Sequence, residues 1–444
     1  MRTNETHDPA RRSWVESANT PGTPFPIQNL PFAVFRRRRG GESWRAGVGI
    51  GDRILDLAAV SRAGLFEGAF SAGTTAFDES LNTLMSLGPA AWSSLRRQVS
   101  ELLAPENERG DLGQRAADEL LVAQADCEMG LPAVIGDYTD FYASVHHATN
   151  VGSMFRPDQP LLPNYKWVPI GYHGRASSIV VSGTPIRRPV GQLGGEAGAA
   201  PVVGPSRRLD YEAELGFFVG PGNALGTRVG IAEAEEHLFG VCLLNDWSAR
   251  DIQAWEYQPL GPFLAKNFAS SVSPWVVTLE ALTPFRVPVL ARSPGDPAPL
   301  PYLSDARDQA EGGLDITIEV HLRTQRMKAM AADAVRLSRG SARDLYWTPA
   351  QLVAHHASGG CNLCPGDLLG SGTISGPTKE SRGCLLELAW RGTEPVRLPN
   401  GEERRFLEDG DEVELRAWCE APGAVSIGFG SCSGEILPAH SVHS

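Results

Sequence analysis

The sequence predicts an α+β protein that is mainly β with some helix, and three observations carry that prediction. Its 48 glycines and 33 prolines in 444 residues exceed the roughly 7% and 5% of average proteins, as short strands joined by tight turns require. Period-2 alternation recurs in short apolar runs, whereas only a few stretches carry a helical period. Hydrophobic residues at 42% and charged residues at 21% exclude a disordered polyelectrolyte, and no uncharged apolar run is long enough to span a bilayer. A chain of this length divides into two or three folded units.

Residues 1–23 are polar and rich in Pro, Thr and Asn. Phe32, Val34, Val48, Ile50, Ile54, Leu55 and Leu57 then alternate with glycines between them, which predicts a small β unit. Arg36 to Arg39 fall between two of its strands and read as a solvated hairpin loop. Pro89 opens a helix in which Trp92, Leu95, Val99, Leu102 and Leu103 recur at three- and four-residue steps until Pro105. Residues 105–118 are charged and lack apolar periodicity, so a first unit spans 24–130 and a second, 131–444, begins near Leu131. In the second unit strands are predicted over 212–219, 240–246, 314–323 and 411–419. A helix is predicted over 247–255, capped by Asn245 or Asp246, and a mobile surface loop over 191–206.

A net charge of −12 argues against nucleic acid as a partner. Seven cysteines at irregular spacing, and an amino terminus without an apolar signal segment, predict a cytoplasmic setting. No G-x-S-x-G and no P-loop signature occurs, and 47–51 lacks the last glycine of the dinucleotide fingerprint. Cys361 and Cys364 with His355 and His356 mimic a zinc cluster, but a second ligand pair at workable spacing is missing. The carboxylates say more. Glu212 and Glu214 stand at i and i+2 on one face of a strand, about 6.6 Å apart along it. On a solvated face such a pair is tolerated. Asp140, however, sits among aromatic and apolar residues, and Asp246 ends the apolar run 241–244, where a buried acid needs a partner. A hard divalent cation, Mg²⁺ or Ca²⁺, satisfies such oxygen donors.

The segments carrying these acids are IGDYTDFYASVHHATNVGSMFR (135–156), GYHGRASSIVVSGTPIRRP (171–189), NDWSARDIQAWEYQPLGPFLAKNF (245–268) and GDLLGSGTISGP (366–377). In these segments the chain resembles the fumarylacetoacetate hydrolase family, and the correspondence runs from about 24 to about 438. The resemblance implies a small amino-terminal SH3-like β domain followed by a large mixed β-sheet roll of the fumarylacetoacetase type. It implies Asp140, Glu212, Glu214 and Asp246 as metal ligands, in agreement with the strand argument. It implies His147 as general base, Glu387 as the carboxylate that orients it, and Arg250, Gln253 and Lys266 as the oxyanion-stabilising group. Tyr142, Arg156, Tyr172, Tyr257 and Thr373 match positions that hold substrate. The implied substrate is a β-diketo acid, 4-fumarylacetoacetate, cleaved to fumarate and acetoacetate at the end of tyrosine and phenylalanine catabolism, by a homodimer without membrane or nucleic-acid partners. A His–Glu dyad without a serine or cysteine nucleophile implies water as the attacking group.

Alternatives stay open at this point: an acylpyruvate or related β-diketo acid hydrolase or decarboxylase on the same site, or a non-catalytic metal-binding scaffold. The chain departs from the family at His146, where glutamine is common, at Ala269 and Ser270, where glycine and threonine are usual, and at Cys364, which replaces a basic residue. Asp246, Arg250 and Gln253 have helical spacing, and Asp140 and His147 are close to two helical turns apart, which would place each set on one side of a pocket.

Overall fold

Phe32–Arg37, Arg45–Ile50 and Arg53–Asp56 form an antiparallel meander, and the short strands Leu121–Ala123 and Cys127–Met129 close it at its two edges into a five-stranded sheet. The structure, a computed structural model, describes residues 2–105, 107–195 and 199–441. Arg36 and Arg37 belong to the first strand, so the basic run is a loop only in its second half. Arg36 lies over the Trp44 ring and pairs with Glu128. Helix Pro89–Leu103 buries Trp92, Leu95, Val99, Leu102 and Leu103, the predicted stripe. The polar amino-terminal stretch is pinned to it, with Trp14 Nε1 donating to the Leu102 carbonyl at 2.8 Å and Arg96 Nε to Thr6 Oγ1 at 2.9 Å.

The charged stretch 105–118 holds a helix, Glu108–Arg115, capped by the Asn107 side chain accepting from the Gly110 N–H. Its packing needs no apolar stripe. A Cβ at Gly110 would lie 1.7 Å from the Ala104 carbonyl oxygen, so backbone meets backbone there and only glycine fits.

The second unit is built on two mixed sheets. One runs in the order 171–173, 138–141, 368–370, 213–219, 238–246, 270–272, 179–181, with the 138–141/368–370 and 270–272/179–181 pairs parallel. The other runs 335–341, 317–323, 412–419, 427–437, 186–187. Ile316, Ile318, Val320 and Leu322 are all buried, as period 2 predicts. In the central pair Ala213–Val219 and Leu238–Asp246, the odd-numbered residues Leu215, Phe217, Val241 and Leu243 enter the main core between the layers. Phe218, Cys242 and Leu244, of even number, pack with the amino-terminal unit. The same even face continues to Glu214 and Asp246, so a face that is apolar at one end becomes acidic at the other.

Two expectations are corrected here. The helix predicted from Trp247 begins at Arg250 and ends at Glu256, because Ser248–Ala249 pair as a short strand with Leu209–Asp210. Neither Asn245 nor Asp246 caps it. The Asn245 side chain instead accepts from the Glu212 N–H, and Asp246 remains in the strand, so its helical spacing to Arg250 is lost. The 191–206 stretch is a two-stranded ribbon in which Val190–Leu193 pairs with Val202–Pro205, while 196–198 lie outside the described residues. The ribbon packs on helix Arg250–Glu256, where Leu193 meets Ala249 and Ile252, and Trp255 Nε1 donates to Gln192 Oε1.

Candidate active site

Strand register brings the four acids together. Gly370 stands between Asp140 on one side and Gly216 on the other, two residues along from Glu214, while Asp246 faces Ser270 across the next pair. The result is a group in which one ligand atom each of Asp140, Glu212, Glu214 and Asp246 lies within 4.8 Å of the others, all four residues being buried. Gly370 makes this approach possible, since a Cβ there would sit 2.5 Å from Asp140 Oδ1 and 3.1 Å from Glu214 Oε2.

Two cations share this cluster. Lys266 Nζ donates to Glu212 Oε2 and Asp246 Oδ2, both at 2.5 Å, and Arg250 Nη1 pairs with Glu212 Oε1 at 2.7 Å. Burial works against the Glu212 carboxylate, but Lys266 and Arg250 overcome it and hold its pKa well below the usual range. The other acids go the opposite way. Burial and then Asp246 push Asp140 up to about 8, and burial with Asp140 and Asp246 raises Glu214 well above its ordinary value. Asp140 Oδ1 and Glu214 Oε1 are buried without a hydrogen-bond partner among the described residues. Four carboxylates against two cations leave negative charge that must take up a proton or a cation. An all-oxygen donor set with two unpartnered oxygens fits a hard divalent ion.

Beside the cluster, helix Val145–Phe155 is capped by Ser144, whose side chain accepts from the His147 N–H. Within its first turn His147 is buried and His146 half-exposed. Because Asp140 lies on a strand that ends before this helix, the two-turn spacing expected between Asp140 and His147 does not exist. Tertiary packing orients His147 instead. His147 Nδ1–H donates to Glu387 Oε2 at 2.7 Å, from a partner 240 positions away. Glu387 also accepts from Asn150 Nδ2 and Ser375 Oγ, each at 2.8 Å, and the Cys384 thiol lies 3.1 Å from Oε2. Burial disfavours its charge, yet His147, Asn150 and Ser375 bring its pKa down to about 2. This carboxylate is ionised and fully bound, so the ring is fixed with Nε2 left for proton transfer.

The other predicted residues divide. Gln253 Oε1 accepts from Arg250 Nη1 at 3.1 Å, Tyr172 donates its hydroxyl to Asp246 Oδ2 at 3.0 Å, and the Tyr142 ring stands edge-on to His147 at 5.2 Å. Thr373 is buried with its hydroxyl unpartnered among the described residues. Arg156 and Tyr257 are exposed at the carboxy-terminal ends of their helices, and Arg156 donates to the Pro160 carbonyl. Cys361 and Cys364 are exposed thiols, while His355 bonds Tyr302 and His356 bonds Thr139, so no zinc group forms there among the described residues. Sequence reasoning missed Asn150, Ser375 and Asp210. Asn150, three residues after His147, carried a usable signal in its helical spacing. Asp210 carried none, since its only near partner is a backbone N–H and its others lie 40 and about 175 positions away.

The oxygen cage stands at the sheet against which the amino-terminal β unit packs, and the fixed imidazole stands on a helix beside it, an arrangement suited to a hydrolase that activates water. Comparison with known proteins narrows the class. Residues 28–132 match the fumarylacetoacetase N-terminal family and residues 137–436 the fumarylacetoacetate (FAA) hydrolase C-terminal family. Among relatives, the fumarylacetoacetase of Bos taurus is 51% identical over 422 residues, covering 94% of this chain and 96% of its own. That of Caenorhabditis elegans is 51% identical over 424 residues, with 94% and 97% covered, and that of Oryza sativa subsp. japonica 48% over 432, with 96% and 97% covered. The chain belongs to the fumarylacetoacetase family.

Proposed function

We propose that this chain hydrolyses the carbon–carbon bond of 4-fumarylacetoacetate to give fumarate and acetoacetate, the final step of tyrosine and phenylalanine catabolism. The observation that carries the reading is the buried His147–Glu387 pair set beside the four-carboxylate cluster. In this reading Glu387 holds the His147 ring so that Nε2 takes a proton from water as its oxygen adds to the carbonyl of the fumaryl group. Arg250, Gln253 and Lys266 stabilise the oxyanion that forms. Collapse breaks the carbon–carbon bond, and the acetoacetate carbanion leaves as its enolate and takes up the proton held on His147. Asp140, Glu212, Glu214 and Asp246 would hold Mg²⁺ or Ca²⁺, which when bound supplies Lewis-acid polarisation of the diketo oxygens. Tyr142, Arg156, Tyr172, Tyr257 and Thr373 contact substrate. In the same reading 24–130 and 131–444 are the two units, and the protein works in the cytoplasm as a homodimer. Support for the dimer comes from the exposed apolar side chains of Trp255, Leu260, Phe263 and Leu264, of which Leu260 is 97% exposed. No described helix is long and apolar enough to cross a membrane.

The test is the loss of diketone absorbance on mixing purified protein with fumarylacetoacetate, before and after exhaustive chelation. Chelation should abolish turnover, and added Mg²⁺ or Ca²⁺ should restore it with fumarate and acetoacetate formed one to one. Full activity in metal-free buffer overturns the role of the four acids. Turnover of acylpyruvates without turnover of fumarylacetoacetate selects the alternative hydrolase.

A further inference from the structure

We propose that Asp210 is the positioning residue that aims the Arg250 guanidinium at the substrate. Asp210 is fully buried, and backbone donors fix its carboxylate. Oδ1 accepts from the Tyr211 N–H at 2.9 Å and the Leu385 N–H at 2.8 Å, and Oδ2 from the Leu386 N–H at 2.9 Å. Leu385 and Leu386 open the short helix Leu385–Leu388, which bears Glu387, so the carboxylate is tied to the element that holds the base. Its own strand pairs with Ser248–Ala249, immediately before Arg250.

Held in this way, Asp210 Oδ2 accepts from Arg250 Nε at 2.9 Å. On the other side Nη1 is taken by Glu212 Oε1 at 2.7 Å and Gln253 Oε1 at 3.1 Å. A guanidinium is a rigid planar fork, so binding Nε and Nη1 fixes where its remaining nitrogen points. That nitrogen, Nη2, is buried and has no partner among the described residues. It is the donor left for an oxyanion. Without Asp210 the fork is free to turn and bind Glu212 through both terminal nitrogens, which removes Nη2 from use. The inference rests on the fumarylacetoacetase reading, in which Arg250 meets the oxyanion.

A double-mutant cycle on the enzyme saturated with Mg²⁺ tests it, using wild type, Asp210→Asn, Arg250→Ala and the pair. Asp210→Asn should lower kcat by about 10²-fold with KM within about threefold, because the lost donor acts only in the transition state. In the Arg250→Ala background the same change should cost less than about threefold. Equal losses in both backgrounds, or a loss in KM instead of kcat, would overturn the role. If Asp210→Asn does not fold, Arg250→Lys carries the test. Lysine keeps the charge but has one nitrogen, which cannot bind Asp210 and Glu212 and still leave an aimed donor, so a loss of about 10² is again expected. Near-normal kcat in Arg250→Lys would overturn the proposal. An active wild type with unimpaired Asp210→Asn overturns the role of Asp210 alone, whereas a wild type inactive on fumarylacetoacetate overturns that role and the reading beneath it.

Discussion

Replacing Glu387 by glutamine isolates the charge that stabilises the proposed base. The side chain is fully buried and ionised, its pKa brought from an ordinary 4.5 to about 2 against the burial that would raise it, first by His147 and then by Asn150 and Ser375. A shift of that size corresponds to between about 3 and 4 kcal/mol of preference for the carboxylate, at roughly 1.4 kcal/mol per unit. The share due to His147 acts when that ring carries the water proton and becomes imidazolium, so Glu387→Gln should lower kcat by about 10²-fold while KM stays within about threefold. Steady-state kinetics at saturating Mg²⁺ reads this directly. Acid denaturation reads it independently. A carboxyl group whose folded pKa is depressed contributes stability that is present above its unfolded pKa and lost as pH falls through the folded value. Between about pH 4.5 and pH 2 the wild type should therefore lose stability that the variant never had, giving the variant a flatter slope. A kcat within threefold of wild type, or identical slopes, would refute the reasoning.

The remaining predictions concern the neighbouring histidine and the cage. His147→Ala should lose about 10²–10⁴ in kcat with metal binding intact, whereas His146→Ala, with its half-exposed ring, should keep most activity. The reverse pattern in parallel assays would move the base by one residue. Gly370→Ala places a methyl group 2.5 Å from Asp140 Oδ1 and should weaken Mg²⁺ binding by tenfold or more in titration calorimetry, and an unchanged Kd would contradict the cage geometry. Added Mg²⁺ should raise the melting temperature of wild type more than that of Asp246→Ala, since a bound ion stabilises the folded state by mass action. Equal shifts in both proteins would remove Asp246 from the ligand set.

The sequence by itself determined the elements whose signal is local. Period 2 placed Ile318 to Leu322 in a half-buried strand and Glu214 in the strand Ala213–Val219, just before which Glu212 stands, and Pro89 with three- and four-residue steps marked helix Pro89–Leu103. Matching of whole segments then pointed to candidate acids and a candidate base before their positions in space were known. Tertiary structure alone decided what depends on contacts between distant positions. The two-turn spacing of Asp140 and His147 was an accident of numbering, since a strand end and a helix cap lie between them, and it is Glu387, 240 positions on, that orients the ring. The helix Glu108–Arg115 escaped because glycine lets it pack backbone on backbone, which writes no apolar period into the chain. Asp210 escaped for a related reason, since three of its four partners are backbone N–H groups, and a backbone donor is the same at every residue except proline. Periodicity records which way a side chain faces within its own element. Register between strands, and the burial that makes an unpaired carboxylate costly, arise only when elements far apart in sequence are packed together.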